Sequence, residues 1–270
     1  MKLWKALLLA LPLALAARSS TVGAQSVPAQ PLELFLLVGQ SNMAGRGTLE
    51  AEDTRPIARL WSFNQQAQWV PAIDPLHFDK PKVVGVGPGR TFGIVMAEAW
   101  PSAEIGLIPA AVGGSSVRAW APGAIDSATK THPYDDAIAR ARVALRSGRL
   151  AGILWLQGES DGNARNAADY EPRLRAVIAN LRRDLNAPDV PFLIGQMGRF
   201  AEKPWNTYRT RVDSMHRAIA ATTPQAGFVL TEGLRHRGDT IHYDTPSVRE
   251  IGRRYAQLFL TMQPTPRKDH

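Results

Sequence analysis

The chain of 270 residues contains no cysteine. This absence excludes disulfide bonds, a thiolate nucleophile and cysteine-ligated metal sites. Stability must therefore come from packing and hydrogen bonding. A hydrophobic content of 44% is enough for the core of one α/β domain of this length.

The common signatures of metal and nucleotide binding are also missing. The chain has no His-Glu-x-x-His pair, and the glycine-rich stretch 85–89 lacks the Gly-Lys-Ser/Thr ending of a phosphate-binding loop. Four possible metal ligands lie close together in sequence, namely His236, Asp239, His242 and Asp244. Two of them, Asp239 and His242, instead have the spacing of an acid and base pair. We therefore expect no metal and no cofactor.

Positive charge is only in modest excess. The formal net charge is +8, and it falls to +5 without residues 1–24, because 29 basic residues then stand against 24 acidic ones. Most arginines occur in helix-like segments, where a solvated outer face explains them. We expect no nucleic-acid partner, while an affinity for acidic sugars stays open.

One long apolar run occurs, and it lies at the amino terminus. Lys2 and Lys5 precede the apolar residues 6–17, and the small residues at 22–24 offer a cleavage site. The run is shorter than the roughly 20 residues of a membrane-spanning helix, and Pro12 interrupts it. We predict a cleaved signal peptide rather than an anchor. The protein is then exported, periplasmic or secreted, with no membrane association after cleavage.

The leader divides the chain into four predicted segments. They are a signal peptide at 1–24, a flexible lead-in at 25–31, a single domain at 32–262 and a C-terminal tail at 263–270.

Short apolar runs alternate with longer amphipathic ones inside the domain. This alternation predicts an α/β fold, a three-layer α/β/α sandwich around a mostly parallel sheet. Residues 50–89 have no clear period and are expected to form loops over the site. The predicted strands are 32–38, 104–108, 152–156, 192–195 and 227–230, and the predicted helices are 135–147, 168–185, 208–221 and 246–262.

A serine follows the first predicted strand. Ser41 lies in the sequence GQSNMAG at 39–45, where a parallel sheet presents the carboxyl end of a strand to ligands. Asp239 and His242, near the end of the chain, add an acid and a base, so the order Ser, Asp, His of a serine hydrolase is present. The alternative for Ser41 is a helix N-cap.

Four ordered blocks of sequence resemble the SGNH hydrolase superfamily. They are GQSNMAG at 39–45, GGSS at 113–116, WLQGESD at 155–161 and DTIH at 239–242. The chain is most similar to the acetylxylan esterase and sialate O-acetylesterase branch, which includes carbohydrate esterase family six, from about residue 32 to about 260. Met43 replaces the second glycine of the Gly-x-Ser-x-Gly elbow, which argues against an ordinary α/β-hydrolase. The resemblance implies a flavodoxin-like sheet whose last loop carries both acid and base.

The resemblance implies a catalytic triad. Ser41 is the nucleophile, His242 is the general base, and Asp239 orients the imidazole. Glu159 is a rival for the acidic position, because the acidic partner is the least uniform part of this branch.

The resemblance also implies an oxyanion hole. Its donors are the backbone N–H groups of Ser41 and Gly114 and the side chain of Gln157, which stands where the superfamily has asparagine. The alternatives are a tight turn for Gly114 and a polar strand end for Gln157. Asn42, Arg118 and Trp120 are candidate substrate-binding residues. For Trp120, stacking on a sugar ring and packing in the core are both open.

These features predict an exported, cofactor-independent serine esterase that removes O-acetyl groups from a carbohydrate partner through an acetyl-enzyme intermediate. Acetylated xylan or a related polysaccharide is the first substrate class, and acetylated sialic acid is the second. An alternative of another class is a carbohydrate-binding protein without turnover. The sequence does not predict the oligomeric state.

Overall fold

The computed structural model describes residue 28 and residues 30–266 of the chain. The predicted signal peptide at 1–24 lies outside the described residues, as do most of the predicted lead-in and the last four residues of the tail. Among the described helices, none is both long and apolar enough to cross a membrane.

Seven strands form one sheet in the order β3-β2-β4-β1-β5-β6-β7. Every neighbouring pair is parallel except β2 and β3, which are antiparallel. β1 lies at the centre, between β4 and β5. The strands are β1 (Leu32–Gly39), β2 (Leu60–Phe63), β3 (Trp69–Pro71), β4 (Glu104–Pro109), β5 (Gly148–Leu156), β6 (Phe192–Gly195) and β7 (Ala226–Val229).

Helices cover both faces of the sheet. α3, α4 and α5 pack on one face, while α2 and α6 pack against each other on the opposite face. The predicted three-layer α/β fold with a mostly parallel sheet is therefore confirmed. The helices are α1 (Ser41–Ala44), α2 (Pro88–Ala99), α3 (Pro133–Ala144), α4 (Tyr170–Asp184), α5 (Thr207–Thr222) and α6 (Thr245–Met262).

The central strand β1 is apolar on both faces because both faces are covered. Leu36 and Val38 belong to the core beneath α3, α4 and α5, whereas Phe35 and Leu37 belong to the core beneath α2 and α6. Burial on both faces explains why this strand reads as a continuous apolar run in the sequence. Packing on both sides fixes the carboxyl end of β1, from which Ser41 follows.

All five predicted strands and all four predicted helices are present, with boundaries within four residues of those expected. The prediction of loops throughout 50–89 is wrong in part, because β2 and β3 form an edge of the sheet there. Both strands are short, and β3 is only half-buried, which leaves little periodicity to read. α2 was not predicted, since Gly89 and Gly93 lower its helix propensity.

Candidate active site

The carboxyl ends of β1, β4 and β5 lie side by side at one edge of the sheet. Ser41 follows β1, Gly114 lies in the loop after β4, and Gln157 follows β5. The loop between β7 and α6 brings Asp239 and His242 to the same edge. Open α/β sheets bind ligands in such a crevice, where the strand order reverses.

A glycine before Ser41 allows the sharp turn from β1 into α1. Gly39 has a φ of +127°, and a Cβ at this position would overlap the backbone of Leu156 in the neighbouring strand. The N-cap of α1 is Gln40 rather than Ser41. The alternative assignment of Ser41 as a helix cap is therefore not observed.

The hydroxyl of Ser41 hydrogen-bonds the imidazole of His242, with 3.0 Å between Oγ and Nε2. On the other side of the ring, His242 Nδ1 lies 2.7 Å from Asp239 Oδ2. The backbone N–H groups of Ile241 and His242 donate to Asp239 Oδ1 at 2.9 and 2.8 Å. The three side chains predicted for a triad thus form one hydrogen-bonded chain.

The surroundings of Asp239 keep its carboxylate ionised. Partial burial raises its pKa, but the hydrogen bonds from the His242 backbone, the imidazole and the Ile241 backbone outweigh this and bring the pKa to about 2. A carboxylate beside Nδ1 favours a proton on that nitrogen. Nε2 of the neutral imidazole is then left to accept the hydroxyl proton of Ser41.

The rival acid Glu159 lies nearby but bonds a different residue. Its Oε1 accepts a hydrogen bond from Asn42 Nδ2 at 2.8 Å, and its inaccessible Oε2 has no partner among the described residues. Burial raises the pKa of Glu159, although the backbone and Asn42 oppose this rise. Asp239, and not Glu159, is the acid that contacts the imidazole.

Asn42 supports the histidine loop instead of facing a substrate. Its side chain is buried, donates to Ile241 O at 3.2 Å and accepts from the backbone N–H of Tyr243 at 3.2 Å. These contacts hold the chain on both sides of His242. The prediction that Asn42 contacts the substrate is therefore wrong, and no sequence signal marked its supporting position.

Two backbone N–H groups belong to the segments that follow β1 and β4 at this edge of the sheet. Within the described part of the chain, neither Ser41 N nor Gly114 N has a hydrogen-bond acceptor. Gly114 has a φ of +86°, which glycine adopts without strain. The space before it is open, since the single atom within 4 Å of a Cβ built there is Lys80 Nζ, at 3.7 Å.

Gln157 lies beneath the crevice. Its side chain is fully buried, and its Nε2 donates to Ser115 O at 3.0 Å and to Asp161 Oδ2 at 2.5 Å. Its Oε1 accepts a hydrogen bond from Tyr170 at 2.8 Å. Because both amide protons have protein acceptors, the predicted oxyanion contribution of Gln157 is not supported by this arrangement.

The other two candidate substrate residues also have structural partners. Trp120 is fully buried against Trp155, with ring centroids 5.3 Å apart, so its predicted stacking on a sugar is wrong and its core alternative is correct. Arg118 is partly exposed, but its guanidinium pairs with Asp169 at 2.7 Å and with Asn166 at 3.1 Å. Residues 28 and 30–266 contain no group of three or more histidine and acidic side chains placed to hold a metal ion.

Comparison with protein families gives a match over nearly all of the described chain. The model of the family "Carbohydrate esterase, sialic acid-specific acetylesterase" matches residues 31–261. The matched region includes Ser41, Asp239 and His242, together with Gly114. Its limits also agree with the extent of the packed fold.

Individual relatives share this architecture. A protein of Arabidopsis thaliana named as a probable carbohydrate esterase is 29% identical over 254 residues, covering 87% of this chain and 92% of its own length. The crystal structure of this same Arabidopsis protein superposes with a TM-score of 0.76 at 28% identity, covering 86% and 98% of the two chains. NanS shares the fold, with a TM-score of 0.66 at 17% identity. The match covers 87% of this chain and 99% of the NanS chain. The chain therefore belongs to the sialic acid-specific acetylesterase family of carbohydrate esterases.

Proposed function

We propose that the protein hydrolyses O-acetyl esters of carbohydrates with Ser41 as the nucleophile. The observation that carries this proposal is the chain of hydrogen bonds from Asp239 through His242 to Ser41, at 2.7 and 3.0 Å. Pure binding of a sugar would not need an acid, a base and a hydroxyl aligned in this order.

Each step of the proposed reaction uses an atom of the triad. Ser41 Oγ attacks the acetyl carbonyl carbon while His242 Nε2 takes the hydroxyl proton. The tetrahedral intermediate collapses, the bond to the sugar oxygen breaks, and His242 returns the proton to the leaving alcohol. Water then attacks the acetyl-enzyme with His242 again as the base, which releases acetate and restores Ser41.

The negative oxygen of the intermediate needs hydrogen-bond donors. We assign them to the backbone N–H groups of Ser41 and Gly114, which have no acceptor among the described residues. One such donor typically contributes about 3–4 kcal/mol to stabilisation of the transition state. The assigned oxyanion hole therefore consists of these two backbone donors and does not include Gln157.

Two substrate classes remain candidates, acetylated xylan and acetylated sialic acid. The ammonium group of Lys80, close to Gly114, favours a sugar that carries a carboxylate. The description of the matching family points the same way. The signal-peptide pattern at 1–24 supports the further proposal that the protein acts after export.

The test is release of acetate from p-nitrophenyl acetate, acetylated xylan and O-acetylated sialic acid by the purified protein. Ser41→Ala is expected to abolish turnover, whereas Ser214→Ala, an exposed serine on α5, is the matched control and is expected to retain it. Equal turnover by Ser41→Ala would overturn the mechanism. Sugar binding without acetate release by the wild type would favour the non-catalytic alternative.

A further inference from the structure

A buried ion pair lies directly behind the loop that contains Gly114. Arg46 Nη2 is 2.8 Å from Asp79 Oδ2, and the two side chains are only 5% and 2% exposed. Burying two charges costs solvation energy, so such a pair is weak support for stability alone. The contacts of this ion pair indicate a role other than stability.

The pair joins the nucleophile segment to the loop after β4. Arg46 Nη1 donates to Gly45 O at 2.7 Å, immediately after α1. Asp79 Oδ2 also accepts a hydrogen bond from the backbone N–H of Gly113 at 2.8 Å. One ion pair thus contacts both segments that carry the proposed oxyanion donors.

Close packing reinforces the hydrogen bonds. A Cβ on Gly113 would lie 2.6 Å from Asp79 Oδ2 and would overlap Arg46 Nη2. The ion pair consequently packs against the Gly113 backbone, and a side chain at this position would displace the charged ends of Arg46 and Asp79. Any shift of Arg46 or Asp79 is transmitted to the peptide that precedes the Gly114 N–H.

Successive backbone N–H groups of residues 110–113 donate alternately to β1 and to the side chains of His77 and Asp79. Ala110 N and Val112 N donate to carbonyl groups of β1, at 2.9 Å each. Ala111 N donates to His77 Nδ1 at 3.3 Å, as Gly113 N does to Asp79. Burial lowers the pKa of His77 to about 3, so the imidazole stays neutral and keeps its acceptor nitrogen.

We propose that Arg46 and Asp79 are positioning residues that hold the Gly114 N–H in register with Ser41. The inference rests on the proposed esterase function and extends it to two residues that touch no reacting atom. Misplacement of a catalytic group by about 1 Å can lower a rate by about 10²-fold. Loss of this support should therefore lower the rate even though both donors remain in the chain.

The test compares Asp79→Asn, Asp79→Ala and Arg46→Lys with Glu33→Gln. Glu33 also forms an ion pair, 2.6 Å from Arg149, but it lies at the amino end of β1, the opposite edge of the sheet. Each variant is assayed for kcat and KM with p-nitrophenyl acetate below its melting temperature. Inhibition by phenylboronic acid, which forms a tetrahedral adduct with an active serine, is measured in parallel.

For Asp79→Ala we expect kcat to fall about 10- to 100-fold with KM changed less than about twofold, and boronate affinity to fall with kcat. Asp79→Asn keeps an acceptor for Gly113 and should lose less. Glu33→Gln should leave both constants unchanged. A kcat within about threefold of wild type in folded Asp79→Ala and Arg46→Lys would overturn the proposal, as would a loss confined to KM.

Two further measurements cover a variant that does not fold and a wild type without esterase activity. If Asp79→Ala does not fold, Arg46→Lys decides, because it retains the charge but cannot reach Gly45 O and Asp79 together. If the wild type hydrolyses no ester, the proposed function fails, and the positioning role is judged by the chemical shift of the Gly114 amide, because exchange at Gly113 rises in Asp79→Ala through loss of its acceptor alone. A shifted Gly114 amide resonance in the variants supports the positioning role, and an unchanged one overturns it.

Discussion

At the scale of single residues, Asp239 and Glu159 are distinguished by the partners of their carboxylate oxygens. Asp239 contacts the imidazole and two backbone N–H groups, whereas Glu159 contacts Asn42. Asp239→Asn keeps the size of the side chain but permits the wrong histidine tautomer, so kcat should fall on the order of 10⁴-fold. The measurement is steady-state hydrolysis of p-nitrophenyl acetate.

Glu159→Gln is the matched control for that substitution. The glutamine oxygen can still accept the hydrogen bond from Asn42, so kcat should fall less than about tenfold. A larger loss for Glu159→Gln than for Asp239→Asn would make Glu159 the acidic partner of His242.

The sequence predicted three side chains that the structure joins by hydrogen bonds, because the chemistry proposed for them depends on residue type and on order along the chain. The structure does not support the predicted roles of Gln157 and Trp120, since a residue next to an active-site motif can point beneath the site as readily as into it. Gln157 is occupied by Asp161 and Tyr170, and the first of these lies only four positions away. Arg46 and Asp79 are 33 positions apart, and no local pattern connects them.

At the scale of secondary-structure elements, the face formed by α2 and α6 depends on a close approach between two helices. Gly252 of α6 lies against the first turn of α2, where a Cβ would be 2.9 Å from Phe92 N and would overlap Pro88 O. Backbone atoms cannot move aside independently. Gly252→Ala should therefore destabilise the fold by about 1–3 kcal/mol, despite the gain in helix propensity.

Gly93→Ala on α2 provides the comparison. A Cβ at Gly93 would meet methyl groups of Leu60 and Leu107, which can change rotamer. The loss should be smaller than for Gly252→Ala, and chemical denaturation of both variants measures the difference. Equal or reversed losses would show that the helix contact is not the constraint.

The patterns of α4 and β1 are readable in the sequence. α4 buries Leu174, Val177 and Leu181 along one stripe, and β1 is buried throughout, so both patterns survive in the sequence. β2 and β3 were missed because both strands are short and β3 is only half-buried, and because β2 joins the sheet through the distant strand β4. The pairing of such short strands is determined by the tertiary structure around them and not by a pattern in their own sequence.

At the scale of the whole molecule, buried titratable groups make stability depend on pH in two opposite directions. Burial lowers the pKa of His216 from 6.5 to about 3. Burial raises the pKa of Asp74 from 3.8 to about 8, although Arg90 opposes the rise. As the pH falls, His216 is therefore protonated at a higher pH in the unfolded chain than in the folded chain. Asp74 is protonated at a higher pH in the folded chain than in the unfolded chain.

The sign of each effect follows from this linkage. The contribution of neutral His216 is present above pH 6.5 and is lost as the pH falls toward 3, because protons favour the unfolded chain. The contribution of protonated Asp74 is present below pH 3.8 and is lost as the pH rises toward 8. Each group changes the free energy of unfolding by at most about 1.4 kcal/mol per pH unit.

His216→Gln and Asp74→Asn should separate the two effects, since each removes one titration while keeping a polar side chain. Relative to His216→Gln, the wild type should lose stability as the pH falls from 6.5 toward 3. Relative to Asp74→Asn, it should lose stability as the pH rises from 3.8 toward 8. Urea unfolding at several pH values measures both differences. Differences that stay constant with pH would mean that neither group is buried in the state assigned to it. Opposite slopes would support both assignments, and because the two titrations overlap, their contributions then offset each other between about pH 3.8 and 6.5.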